Sequence, residues 1–193
     1  EICACLVGSE MCIRDRLFCA ILNVIMIKGA TLMTQYHNIP PVYDKNSRIL
    51  ILGSFPSVKS REAQFFYGHP QNRFWKVMSA VLSCDLPVTV QQKKLMLLSH
   101  NIAVWDVIGS CEITGSSDAT ISSVVPNDIA GLVAETSVTR IFANGATSYN
   151  MYKRYCRDNV GIEAVKLPST SPANAAFSLD RLISEWKSHI LSQ

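Results

Sequence analysis

The sequence predicts an α/β domain: a three-layer αβα arrangement with a central four-stranded parallel sheet. Three observations carry this. Aliphatic runs alternate with amphipathic stretches in the order β, α, α, β, α, β, α, β, α, the pattern of a parallel sheet whose crossovers are helices. The runs are near-continuously apolar, as strands buried on both faces require. Gly, Pro and Ser residues follow the carboxyl ends of several runs, where open α/β sheets bind ligands.

Residues 35–47, with Pro40 and Pro41, read as an irregular lead-in. The first strand spans 48–52 and contains four consecutive aliphatic residues, Ile49 to Leu52. A loop leaves it at Gly53 and Pro56 and runs to Gln71. A helix follows to about residue 83, because Phe74, Trp75, Val77, Met78, Val81 and Leu82 recur at helical spacing. Residues 88–99 read as a second helix, with Val90, Leu95, Leu97 and Leu98 available for burial. The second strand is the apolar run 102–107, and the polar, Gly/Ser-rich stretch 109–123 reads as a loop. Asn127 is a favoured cap for a short helix through residue 136. Residues 138–143 form the third strand, and 147–157 a helix carrying Tyr149, Tyr152 and Tyr155. The fourth strand, 162–167, runs into a second loop, 168–173. A closing helix over 174–191 presents Phe177, Leu179, Leu182, Ile183, Trp186 and Ile190 on one broad face.

With 193 residues, the chain is long enough for one domain with a full core. It has no apolar run of membrane-spanning length, so no membrane association is expected. A formal charge of +3 permits nucleic-acid binding without arguing for it. Residues 1–32 read differently from the rest. They hold four of the seven cysteines, and the peptide from Glu10 to Arg16, EMCIRDR, matches the in-frame translation of a transposon adaptor end used for sequencing libraries. They are read as a non-native or disordered extension, with the native start at Met33 or Met26 and a single domain over 33–193. The rival reading is a secretion signal, since 17–27 is apolar and follows Arg14 and Arg16. Asn23 interrupts that run, and Lys28-Gly29-Ala30 is a poor cleavage site. The remaining Cys84, Cys111 and Cys156 are widely spaced. They form neither a disulfide framework nor a metal-binding pair, so a reducing cytoplasm is expected.

Two motifs carry chemistry. The first joins Gly53-Ser54-Phe55-Pro56-Ser57 to Gly68-His69-Pro70-Gln71-Asn72-Arg73-Phe74-Trp75. The second is Leu167-Pro168-Ser169-Thr170-Ser171-Pro172-Ala173. Together they resemble the active-site loops of the uracil-DNA glycosylase superfamily, and most nearly its hypoxanthine (deoxyinosine) branch. The resemblance covers residues 43–186 and implies the same three-layer fold. It also implies a monofunctional base-excision-repair enzyme, which flips a deaminated base out of DNA and hydrolyses its N-glycosidic bond without a cofactor.

Breaking that bond makes the sugar cation-like, so a neutral amide can orient the attacking water. Many superfamily members use an acidic or amide residue in Gly-x-x-Pro. Phe55 stands there and cannot serve, and the resemblance gives the role to Asn72. Read from spacing alone, Asn72 is equally a helix cap. Tyr67 is the candidate for stacking on the flipped base, with Phe55 and Phe66 as competitors. Gly53 and Ser54 complete the base pocket. His69 could donate to a phosphate or to the departing base, or it could simply pack. Asp106, ending the second strand, resembles the residue that reads the base edge; its plain reading is a loop cap.

Pro56, Ser57, Ser169, Thr170, Ser171, Pro172 and Ala173 are the expected DNA contacts, since hydroxyls and backbone N–H groups suit phosphates. Ser169 replaces the His or Asn that often stabilises the leaving base, and Ala173 replaces a bulkier wedge. Lys59, Arg61, Arg73, Arg154 and Arg157 could line the DNA side. No lysine stands out as a Schiff-base nucleophile. Some superfamily members carry an iron–sulfur cluster, but residues 33–193 lack the four thiolates it needs. The expected partner is DNA containing deaminated bases, met by a monomer. The alternatives are a uracil or mismatch-specific thymine/uracil glycosylase, a catalytically weak DNA-binding relative, and a serine hydrolase using Ser54 or Ser57. The last lacks Gly-x-Ser-x-Gly.

Overall fold

The computed structural model describes residues 34–113 and 120–192. The expected extension, 1–32, and part of the Gly/Ser-rich stretch lie outside the described residues. The central sheet holds β2 (Ile49–Gly53), β3 (Ile102–Asp106), β6 (Arg140–Asn144) and β7 (Ala164–Leu167), all parallel, in the order β3-β2-β6-β7. These are the four expected strands.

The aliphatic run of β2 is divided between two cores. Ile49 and Ile51 face one layer, with Val104, Phe142 and Trp186. Leu50 and Leu52 face the other, with Ala103, Ile141 and Tyr152. Alternate side chains of a strand point to opposite faces, so a strand covered on both faces needs apolar residues throughout. The first layer is built by α2 (Phe74–Leu82), α3 (Val90–Ser99) and α7 (Leu179–Ile190). The second is built by α4 (Ile129–Ala134), α5 (Ala146–Tyr155) and α6 (Arg157–Val160). No helix among the described residues is long and apolar enough to cross a membrane.

Several expectations are corrected. The stretch expected to be a loop contains β4 (Ile108–Glu112) and, overlapping its end, β5 (Ser122–Pro126). With β1 (Thr34–Tyr36) from the lead-in, they form a second, antiparallel sheet in the order β1-β4-β5. The lead-in also docks on β3 through reciprocal Val42–Val104 backbone hydrogen bonds of 3.0 and 2.9 Å. The first functional loop contains a short helix, α1 (Val58–Glu62), capped by Ser57. The cap of α4 is Asp128, not Asn127, whose side chain instead donates to the Asp106 carbonyl at 2.9 Å. Leu95 is 68% exposed, and Met96 and Leu97 supply the buried face of α3 in its place. The closing helix starts at Leu179, because Ser178 caps it.

Candidate active site

The chain runs from β2 to β3 on one side of the sheet and returns to β6 on the other. This is the topological switch point, where diverging loops leave a crevice at the carboxyl ends of the strands. A pocket lies there. Its walls include Gly53 at the end of β2, Asp106 at the end of β3, Asn144 at the end of β6, and Ser169, Thr170 and Ser171 after β7. The first loop adds Ser54, Phe55, Pro56, Ser57, Ser60, Phe66, Tyr67 and Asn72.

The β2–β3 register pairs Gly53 with Asp106. Val107 and Ile108 extend the pairing by donating to the Gly53 and Ser54 carbonyls at 2.9 and 3.0 Å. Asp106 is 4% exposed. Its Oδ1 lies 2.0 Å from where a Cβ on Gly53 would sit. The glycine of Gly-x-x-Pro is therefore the space the carboxylate occupies. Oδ2 pairs with His37 Nε2 at 2.8 Å, and the His37 side chain is 1% exposed.

Tyr67 adopts φ +52°, a strained region for a non-glycine residue that calls for a local cause. Its ring stacks on Phe74, with centroids 3.8 Å apart. Burial first, then the Asp106 carboxylate, hold its phenol far above the ordinary value, with the Asn144 amide acting the other way. Ser60 Oγ accepts from the Gly68 amide at 3.0 Å. That bond closes the first loop behind Tyr67.

Asn72 lines the pocket one residue before the N-cap of α2, which is Arg73 rather than Asn72. Its Oδ1 accepts from the Phe74 amide at 2.9 Å, supporting the start of α2. It also accepts from Thr170 Oγ1 at 3.0 Å, across the pocket. Thr170 is fully buried. Its amide donates to Asn144 Oδ1 and its hydroxyl accepts from Asn144 Nδ2, both at 3.0 Å. The result is a relay from Asn144 through Thr170 to Asn72. The backbone donor at Phe74 fixes the amide's orientation, so Nδ2 is the end Asn72 can offer to a ligand.

Arg73 was a candidate for the DNA side and is engaged elsewhere. Its guanidinium donates to the carbonyls of Ser171 at 2.7 Å, Asn174 at 2.9 Å, Thr170 and Phe177. It binds the second loop to the first motif. Arg157 pairs with Asp158 and Glu163, and Lys59 pairs with Glu62. Arg61 lies over the Phe55 ring and donates to the Pro56 carbonyl at 3.1 Å.

His69 is not among the pocket-lining residues; its Nδ1 accepts from the Gln71 amide at 3.2 Å. Pro172 and Ala173 are exposed beyond the pocket lining. Sequence reasoning missed His37, Ser60 and Asn144. His37 and Asn144 act through partners 69 and 26 residues away in the chain, a separation no local pattern reveals. The Asn144-Gly145 pair at the end of a strand was the one available signal for Asn144.

A parallel α/β sheet with a polar pocket at its switch point, walled by two Ser/Pro loops, defines an enzyme class whose ligand enters over the strand ends. The chain belongs to the uracil DNA glycosylase superfamily, whose sequence profile matches residues 40–191. It is similar to the hypoxanthine DNA glycosylase of Methanosarcina acetivorans, with 38% identity over 149 residues, covering 77% of this chain and 93% of that protein. The hypoxanthine DNA glycosylase of Methanosarcina barkeri is 34% identical over 137 residues, covering 70% and 85%. A solution NMR structure from M. acetivorans, assigned as a candidate uracil DNA glycosylase, superposes with a TM-score of 0.70. It shares 33% identity over 81% of this chain and 96% of that one.

Proposed function

We propose that this chain is a monofunctional DNA glycosylase that releases deaminated bases, chiefly hypoxanthine, from DNA. The carrying observation is that the Asn72 amide and the Asp106 carboxylate line one pocket at the sheet's switch point. The names of the two Methanosarcina relatives support the choice of hypoxanthine.

In this reading the deoxyinosine is flipped from the duplex and its base enters the pocket. Asp106 accepts a hydrogen bond from a base N–H. The bond between C1′ and N9 lengthens, and the sugar gains cationic character while the base takes the electron pair. A water held through Asn72 Nδ2–H keeps a lone pair for C1′, and its excess proton passes to solvent. The cationic sugar makes a strong base unnecessary, so positioning by an amide suffices. The relay through Thr170 and Asn144 holds that amide in place before DNA arrives. The hydroxyls of Ser169 and Ser171, which accept from the Ser171 and Ala173 amides and keep their own protons to donate, are suited to phosphates. Ser57 already caps α1, so its contribution is to shape the rim.

The enzyme acts as a monomer, and Cys84, Cys111 and Cys156, the cysteines among the described residues, form no disulfide, which fits a reducing cytoplasm. The test is an abasic-site assay on duplexes carrying one hypoxanthine, uracil, xanthine or adenine, with strand cleavage by alkali. Cleavage at hypoxanthine above the other bases is expected. Binding without abasic-site formation at any base would reduce the protein to a DNA-binding relative.

A further inference from the structure

The wall formed by Gly53, Asp106 and Tyr67 has a more specific geometry than a stacking surface needs. His37 Nδ1 accepts from the Ile39 amide at 3.3 Å, so the ring proton lies on Nε2 and is donated to Asp106 Oδ2. With Oδ2 engaged, Oδ1 is the acceptor left beside Gly53. The Tyr67 hydroxyl reaches the same place: the point where a Gly53 Cβ would sit is 2.0 Å from Oδ1 and 3.3 Å from the Tyr67 oxygen.

The hydroxyl is buried and has no hydrogen-bond partner among the described residues. Buried polar groups are nearly always paired, so an orphan inside a ligand pocket needs an explanation. The Asn144 amide borders it without a hydrogen bond of proper geometry. An N–H from that side could use only the oxygen's lone pair, leaving the hydroxyl proton free for the pocket. Burial and the nearby carboxylate keep that proton on the phenol. Stacking on Phe74 and an edge contact with Trp75 hold the ring in place.

We propose that Tyr67 is a base-reading donor: its hydroxyl donates to the carbonyl of the flipped base while Asp106, held by His37 through Oδ2, accepts through Oδ1 from the adjacent ring N–H. This rests on the glycosylase reading and deepens it. Adenine presents an amino donor beside a ring-nitrogen acceptor. Deamination replaces them with a carbonyl acceptor beside an N–H donor, and cytosine becomes uracil by the same exchange. A donor next to an acceptor-only carboxylate fits the deaminated edge at both positions and opposes the parent edge at both. Guanine and thymine already carry a carbonyl beside an N–H, so the pair separates deaminated from parent base for adenine and cytosine alone. Sites built on hydrogen bonds discriminate strongly, because a mismatched ligand leaves buried groups unpaired.

Tyr67→Phe keeps the ring and its stacking and deletes only the hydroxyl. Three quantities decide the matter. One is single-turnover release of hypoxanthine. The second is binding to duplexes carrying 2′-fluoro-deoxyinosine or 2′-fluoro-deoxyadenosine, whose N-glycosyl bonds resist hydrolysis. The third is the melting temperature of the free protein. The preference for inosine over adenosine should fall roughly ten-fold and release should slow by a similar factor, as for loss of one buried hydrogen bond. The melting temperature should rise, because an unpaired buried group has been removed. A parent-like preference in the variant, no preference in the parent, or a lowered melting temperature would each overturn the proposal. A parent that prefers inosine in binding but releases no base would contradict the glycosylase reading and leave the base reader standing.

Discussion

On the second-loop side of the pocket, Asn144, Thr170 and Asn72 bond to one another in a chain, and Thr170 is completely buried. On the opposite side, Asp106 is held by His37 through one oxygen, and the Tyr67 hydroxyl beside it has no partner among the described residues. The first wall fixes the Asn72 oxygen by hydrogen bonds within the protein, so the amide is oriented before any ligand arrives and Nδ2 is left to hold a water. That suits a group that must hold a water in one place. The second wall carries an unpaired donor whose cost is recovered only when something binds, which suits a group that must choose between ligands. The two walls thus divide between positioning and recognition: one is oriented by bonds within the fold, and the other keeps a buried donor that only a ligand can pair.

The comparison can be broken from either side. The larger effect of the two is expected at Gly53. A methyl group there would lie 2.0 Å from Asp106 Oδ1, which must move, and 3.3 Å from the Tyr67 hydroxyl, which needs only a small shift. Gly53→Ala should lower hypoxanthine release by roughly 10²-fold, the cost of displacing one group by about 1 Å. Single-turnover kinetics on hypoxanthine-containing duplex would measure it. Activity near the parent's would mean that this wall does not meet the base.

A smaller effect is expected at Thr170. Thr170→Val keeps the shape but removes the donor to Asn72 Oδ1 and the acceptor for Asn144 Nδ2. Release should slow about ten-fold and stability should fall by about 1–3 kcal/mol, the cost of leaving a buried polar group unpaired. Because this wall positions water, the ratio of inosine to adenosine binding should stay as in the parent. A changed ratio in equilibrium binding would show that the two walls are not separate.

The sheet was legible in the sequence because β2, β3 and β6 are buried on both faces. Ile49–Leu52 and Ile102–Trp105 have no polar interruption. The second sheet was not legible. Ile108–Glu112 and Ser122–Pro126 mix Ser, Gly and Glu with their apolar residues, their pairing is broken by register shifts, and the third strand has only three residues. Asn72 and Asp106 could be found because each follows a local pattern, a helix start and a strand end. His37 could not. A lone histidine in an irregular segment acquires meaning only when the fold brings it to Asp106, 69 residues on. Tyr67 could be placed in the pocket from its loop, but not oriented. Stacking on Phe74 and the left-handed backbone direct its hydroxyl toward Gly53, and neither feature has a signature in sequence.

The most direct test of the account is single-turnover release of hypoxanthine by Asn72→Ala, measured beside binding of the same variant to 2′-fluoro-deoxyinosine duplex and a denaturant melt. Loss of the amide should lower the rate constant by roughly two to four orders of magnitude, the range expected of a positioning group. Binding should weaken far less, because backbone contacts and the opposite wall remain. Stability should fall by about 0.5–2 kcal/mol, since Asn72 also accepts from the Phe74 amide at the start of α2. A folded Asn72→Ala protein that releases hypoxanthine at close to the parent rate, losing only stability, would contradict the account and leave Asn72 only as a support for the start of α2.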